Sequence, residues 1–137
     1  MHVFAVVNQK GGVGKTTTSV NLAASLTAMH RRVLLIDLDA QGNASTGLGI
    51  PKNEREKSTY DLLTGKATLK DVVKKTNIPS LFIAPASTDL SSIDVDLFEE
   101  KRRVVKLRDL FANEKFDFDY ILIDCPPSLN LLTVNSM

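Results

Sequence analysis

Four short apolar runs punctuate the chain: Val3-Phe4-Ala5-Val6-Val7, Val33-Leu34-Leu35-Ile36, Leu81-Phe82-Ile83-Ala84 and Tyr120-Ile121-Leu122-Ile123. Each is continuous rather than alternating, the pattern of a strand buried on both faces. Between the first two, a helical stretch is predicted from about Lys15 to about His30. There Val20, Ala23, Ala24 and Thr27 recur at helical spacing, and Leu22, Leu26 and Met29 widen the apolar face. Strand, helix and strand with short joints predict a βαβ unit with parallel pairing. Residues Asp39 to Lys57 are polar, glycine-bearing and without a period, as expected of a long functional loop. Modest helical stretches follow near Thr59 to Thr64 and Thr68 to Lys75. Ser91-Ser92-Ile93-Asp94 has capping-box spacing and predicts a helix start. That helix would run to about Asn113, with Val95, Phe98, Val105, Leu107, Leu110 and Phe111 on its apolar side. Glu99 to Arg103 would form its solvated face.

The alternation predicts an α/β fold with a mostly parallel sheet flanked by helices. A ligand site belongs outside the carboxyl ends of such strands. Three of those ends carry distinctive residues: a glycine loop after the first, Asp37 and Asp39 after the second, and Asp124 after the fourth. All three converge on one edge of the sheet.

Composition narrows the setting. The 137 residues, 43% hydrophobic and 24% charged, suit one ordinary globular domain. A net charge of +1, from 17 basic and 16 acidic residues, gives no electrostatic case for a nucleic-acid or anionic-membrane partner. The single cysteine, Cys125, excludes an internal disulfide framework, fits a reducing compartment and reads as a small buried hydrophobe. No apolar run approaches a membrane span, and Val3 to Val7 is too short for a signal sequence. A cytoplasmic location is the expectation.

The glycine loop, Asn8-Gln9-Lys10-Gly11-Gly12-Val13-Gly14-Lys15-Thr16-Thr17, lies between a strand and a helix. In that context successive backbone N–H groups point into a concavity at the positive end of the helix dipole, where phosphate oxygens fit. Gly11, Gly12 and Gly14 allow close backbone approach. Lys15 supplies a flexible cation for β- and γ-phosphates, and the Thr16 hydroxyl can ligate Mg²⁺. The usual pattern has a glycine six residues before the lysine, where this chain has Gln9.

Lys10 is the informative departure. The run Lys10-Gly-Gly-Val-Gly-Lys-Thr-Thr17 resembles the signature of the deviant Walker A P-loop ATPases. Asp37-Leu-Asp39-Ala-Gln-Gly-Asn43 resembles that family's first switch, and Asp124-Cys-Pro-Pro-Ser128 its Walker B strand end and second switch. Within the family these motifs look most like the ParA/Soj partition type. The resemblance implies ATP and Mg²⁺ as ligands, held by residues 10 to 17, with Val13 and Thr17 completing the loop. It implies that Lys10 reaches the phosphates of a partner's ATP across a nucleotide-dependent homodimer. Asp39 would orient or activate the attacking water, Asp37 would support the magnesium shell, and Asp124 would hold its waters. It further implies non-specific DNA binding, association with the nucleoid, and a ParB-type partner that stimulates hydrolysis, with no membrane partner.

The resemblance covers essentially the whole chain and places it as the N-terminal portion of a single P-loop ATPase domain. Because the loop begins at Asn8, a short chromosomal-type form is expected rather than the larger plasmid type. Adenine contacts and the DNA-binding surface would lie in a later half of the domain. A sheet edge lacking cover, lower stability and weak hydrolysis are then expected of residues 1–137 alone. The alternative from another class is a MinD-like membrane-associated regulator or other nucleotide-dependent assembly module.

Overall fold

The computed structural model describes residues 2–6, 13–92, 109–110 and 117–124. Among them, β1 (His2–Val6) leads into α1 (Val13–Ala28) and β2 (Val33–Asp37). Then come α2 (Asn43–Gly47), a 3₁₀ turn at Lys52–Glu54, α3 (Thr59–Leu63), α4 (Leu69–Val72), β3 (Lys74–Lys75) and β4 (Leu81–Ala84). A second 3₁₀ turn at Thr88–Ser92 follows β4, and β5 (Tyr120–Asp124) closes the order. The strands form one sheet in the order β1-β5-β2-β4-β3, parallel except for the antiparallel β3.

The order corrects one expectation. β1 and β2 run parallel but do not pair, because β5 lies between them and bonds to both. The glycine-loop strand and the Asp124 strand are instead neighbours, in the β1–β5 ladder.

β2 shows why a continuous apolar run is needed in the middle of such a sheet. Its side chains alternate between two cores. Leu34 and Ile36 join Leu62, Leu63, Leu69, Val72 and Ile121 on one face. Val33 and Leu35 join Ala23, Ala44, Leu48, Ile83 and Leu122 on the other. α1 covers the second face, with Val20, Ala23 and Leu26 turned inward. Leu22 and Met29, expected on the apolar side, are exposed. α1 ends two residues before the expected His30 because His30 takes a left-handed conformation, φ 62°. Arg31 N–H then closes on the Leu26 carbonyl at 3.3 Å, a left-handed helix cap.

Three other expectations change. β1 is not buried on both faces: Val3 is 40% and Phe4 49% exposed, at the edge of the described sheet. The loop from 39 to 57 contains α2 and a 3₁₀ turn. The stretch read as helical from 68 to 75 is helix only to Val72. Val73 is extended, and Lys74–Lys75 pairs with β4. α3 and α4 both start on complete capping boxes, Ser58 with Asp61 and Thr68 with Asp71. The helix predicted after Ser91 lies mostly outside the described residues, although Asp109 and Leu110 are helical.

Candidate functional site

The sheet register aligns three strand ends. Val6, Asp124 and Asp37 occupy one row across β1, β5 and β2. Neighbouring strands lie about 4.8 Å apart, so the two aspartates are side by side. Both are fully buried. The ladder continues one step further, where Leu38 N–H donates to the Asp124 carbonyl at 2.9 Å.

α1 is tied to this row by a side chain. The Ser19 hydroxyl donates to Asp124 Oδ1 at 3.0 Å in a buried contact. Val13, Gly14, Lys15, Thr16 and Thr17 form the first turns of α1, so their backbone lies at the helix end where phosphate-binding amides are expected. Lys10, Gly11 and Gly12 lie outside the described residues, as does Cys125.

Asp37 organises the segment that follows it. Its Oδ2 accepts from Ser45 N–H at 3.0 Å and from the Ser45 hydroxyl at 2.7 Å; its Oδ1 accepts from Asp39 N–H at 3.1 Å. Ser45 lies in the first turn of α2, so the carboxylate caps that helix from a distance. Ala86 N–H donates to the same Ser45 hydroxyl at 3.1 Å, which joins the end of β2 to the exit from β4. The Thr59 hydroxyl donates to the Asp37 carbonyl at 2.9 Å and brings α3 to the same place. Burial pushes the Asp37 carboxyl up to about 6, offset by the Ser45 hydrogen bond and reinforced by the Asp124 charge.

Asp39 is only half buried and stands apart from the pair. Its Oδ1 accepts from Gln41 N–H at 3.0 Å, and its carbonyl from Gly42 N–H at 2.8 Å. This tight turn places Gly42 at φ 66°. A side chain there would also collide with Nη1 of the buried Arg55. Arg55 is held by Ile50 and Thr46: Nε donates to the Ile50 carbonyl at 3.1 Å, and Nη2 to the same carbonyl and to Thr46 Oγ1 at 2.9 Å. Burial lowers the Arg55 pKa from its ordinary value, while the charge of Asp37 opposes that effect.

The geometry therefore unites Asp37, Asp124 and α1, and sets Asp39 on the rim. Two buried carboxylates at adjacent register positions repel unless a proton or a cation offsets their charge. Oxygen-only donors suit Mg²⁺, which prefers carboxylates and water. Among the described residues no group of three or more His, Cys, Asp or Glu side chains could hold a metal. Ser19, Ser45, Thr59 and Arg55 were not legible as site residues. Each is an ordinary residue in sequence, and only the fold brings it to the row.

A family model described as an AAA domain matches residues 1–137. The chain belongs to this AAA-domain family of P-loop proteins. Among curated relatives, it is 50% identical to the chromosome partitioning protein ParA of Caulobacter vibrioides, covering 100% of this chain and 52% of that protein. It is 47% identical to the sporulation initiation inhibitor protein Soj of Bacillus subtilis, covering 98% of this chain and 53% of the relative. The chain thus spans about half the length of these relatives. A solved structure described as cobyrinic acid a,c-diamide synthase from Mycobacterium smegmatis, with a bound ATP analog and magnesium, superposes with a TM-score of 0.92. It is 39% identical and covers 99% of this chain and 54% of that one. Among the described residues no helix is long and apolar enough to cross a membrane.

Proposed function

We propose that this chain is the N-terminal portion of a P-loop ATPase domain that binds and hydrolyses ATP with Mg²⁺ and acts as a partition switch of the ParA/Soj type. The observation that carries the reading is the Ser19–Asp124 hydrogen bond. It registers the helix that follows the glycine loop onto a buried acidic pair at neighbouring strand ends. A phosphate cradle and carboxylates for its counter-cation then share one edge.

In this reading the loop from Lys10 to Thr17 holds the phosphates, with Lys15 neutralising charge that develops on the transferred group. Thr16 and Asp124 would hold Mg²⁺, which would supply charge neutralisation there. Asp37 supports that shell indirectly, by fixing α2 and the Asp39 turn. Asp39, half buried on the rim, orients the attacking water, and Lys10 serves a partner's nucleotide across an ATP-dependent homodimer. A ParB-type partner, non-specific DNA binding and a cytoplasmic, nucleoid-associated location follow from the partition reading. The identities to ParA and Soj favour it over the amide-forming reaction named for the structural neighbour.

The test is nucleotide binding, dimerisation and ATP-dependent DNA retention by the complete protein. Lys15→Ala should abolish ATP binding, Lys10→Ala should lose the ATP dimer while monomers still bind ATP, and Asp39→Ala should keep the dimer but stop turnover. Intact binding and dimerisation in both lysine variants would remove the site assignment. ATP-independent DNA retention would remove the switch.

A further inference from the structure

A cavity of about 110 Å³ opens beside the turn that follows Asp39, lined by Ala40, Lys52, Arg55, Ser87 and Thr88. We propose that it is a second anion site, which takes a free tetrahedral oxyanion of the phosphate class, anchored by Arg55 and Lys52. This goes beyond the nucleotide reading and does not depend on it.

Arg55 is the reason. It is only 7% exposed, yet no carboxylate among the described residues lies within ion-pair distance of it. Its Nε and Nη2 are committed to Ile50 and Thr46, whereas Nη1 has no hydrogen-bond partner among the described residues. The charge of Asp37 acts on it only from beyond ion-pair distance, so burying this guanidinium remains costly, and its planar fork matches an oxyanion. The three hydrogen bonds also fix the group before any ligand arrives. Lys52 brings a second cation to the rim. Ser87, hydrogen-bonded to the Ser58 hydroxyl at 3.1 Å, adds a hydroxyl to the lining. Among the described residues no acidic side chain lines the cavity. Its volume holds several water-sized groups, enough for a four-oxygen ion and too little for a nucleotide.

Ser87 and Thr88 follow β4, three strand steps from β1 along the order β1-β5-β2-β4. At about 4.8 Å per step the ends of β1 and β4 are roughly 14 Å apart along the edge. Ala40 and Gly42 nevertheless belong to the Asp39 turn, so a bound anion would stiffen it.

The experiment is a titration of the protein with inorganic phosphate, read as backbone amide shifts, with chloride at matched ionic strength as the control. Saturable shifts are expected at Ala40, Arg55 and Thr88. They should survive Lys15→Ala, weaken about tenfold in Lys52→Glu and vanish in Arg55→Gln. Lys52 is exposed, so its variant tests the site even if the Arg55 variant does not fold. Shifts confined to residues 11 to 17, shifts equal in chloride, or shifts unchanged by Lys52→Glu would overturn the proposal. Failure of the nucleotide reading would show instead as unimpaired ATP binding by Lys15→Ala.

Discussion

β1 and β2 flank the same strand, have the same length and look alike in sequence. His2–Val6 and Val33–Asp37 each pair along five residues with β5, on its opposite sides. Every residue of β2 is buried, whereas Val3 and Phe4 remain about half exposed. β2 has β4 beyond it and a packed core on each face. Among the described residues β1 pairs only with β5, and its rings stack in an open row, His2 against Tyr120 at 5.5 Å and Phe4 against Tyr120 at 6.2 Å. An apolar run therefore records a capacity for burial, and neighbouring elements decide whether it is met. Full burial stabilises a Val or Phe side chain by about 1.5–3 kcal/mol, so β1 forgoes a sizeable part of that.

The largest expected effect is on the β2 side. Leu35→Ala should cost about 2–5 kcal/mol in denaturant unfolding, because it leaves a void between α1 and the sheet. Phe4→Ala should cost distinctly less. Equal losses would mean that β1 is as well covered as β2.

Next comes the acid at the end of β2. Its folded pKa, about 6, lies above the ordinary 3.8, so the folded protein holds a proton that the unfolded chain releases between those values. The resulting cost is full above about pH 6, shrinks as pH falls through that value and is gone below about 3.8. It amounts to roughly 3 kcal/mol at most. Unfolding measured against pH should show this gain on acidification in the natural protein and lose it in Asp37→Asn. An unchanged slope in the variant would move the effect to another group.

Gly42→Ala follows, at about 1–2 kcal/mol for the left-handed backbone, with the Arg55 contact adding to it. Val3→Thr, on the open edge, should change stability by less than about 1 kcal/mol. A larger loss would again place cover over β1.

These contrasts show what the sequence could express. β2, β4, β5 and α1 were legible because each carries its own apolar pattern, and the motif aspartates because they end those strands. Strand order was not legible, since the insertion of β5 between β1 and β2 is a matter of distant pairing. β3 is two lysines recruited through their backbone, with no side-chain signal. α2 has no apolar period and depends on a carboxylate eight residues upstream of Ser45. Arg55 sits within a charged run, Asn53-Glu54-Arg55-Glu56-Lys57, where a solvated residue is the natural expectation. Only the Ile50 carbonyl and the Gly42 turn show otherwise.

The row Val6–Asp124–Asp37 also sets which length changes this chain can absorb. Strand side chains alternate with a period of two, so a one-residue slip of β5 would present Ile123 in place of Asp124 and turn the neighbouring side chains to the opposite faces. An inserted or deleted residue within Tyr120–Asp124 would thus remove the acidic pair even with every motif residue still in the chain. The exposed turn at Gly65 and Lys66 has no such ladder to keep in step. Drift in length should accumulate there and be purged from β5.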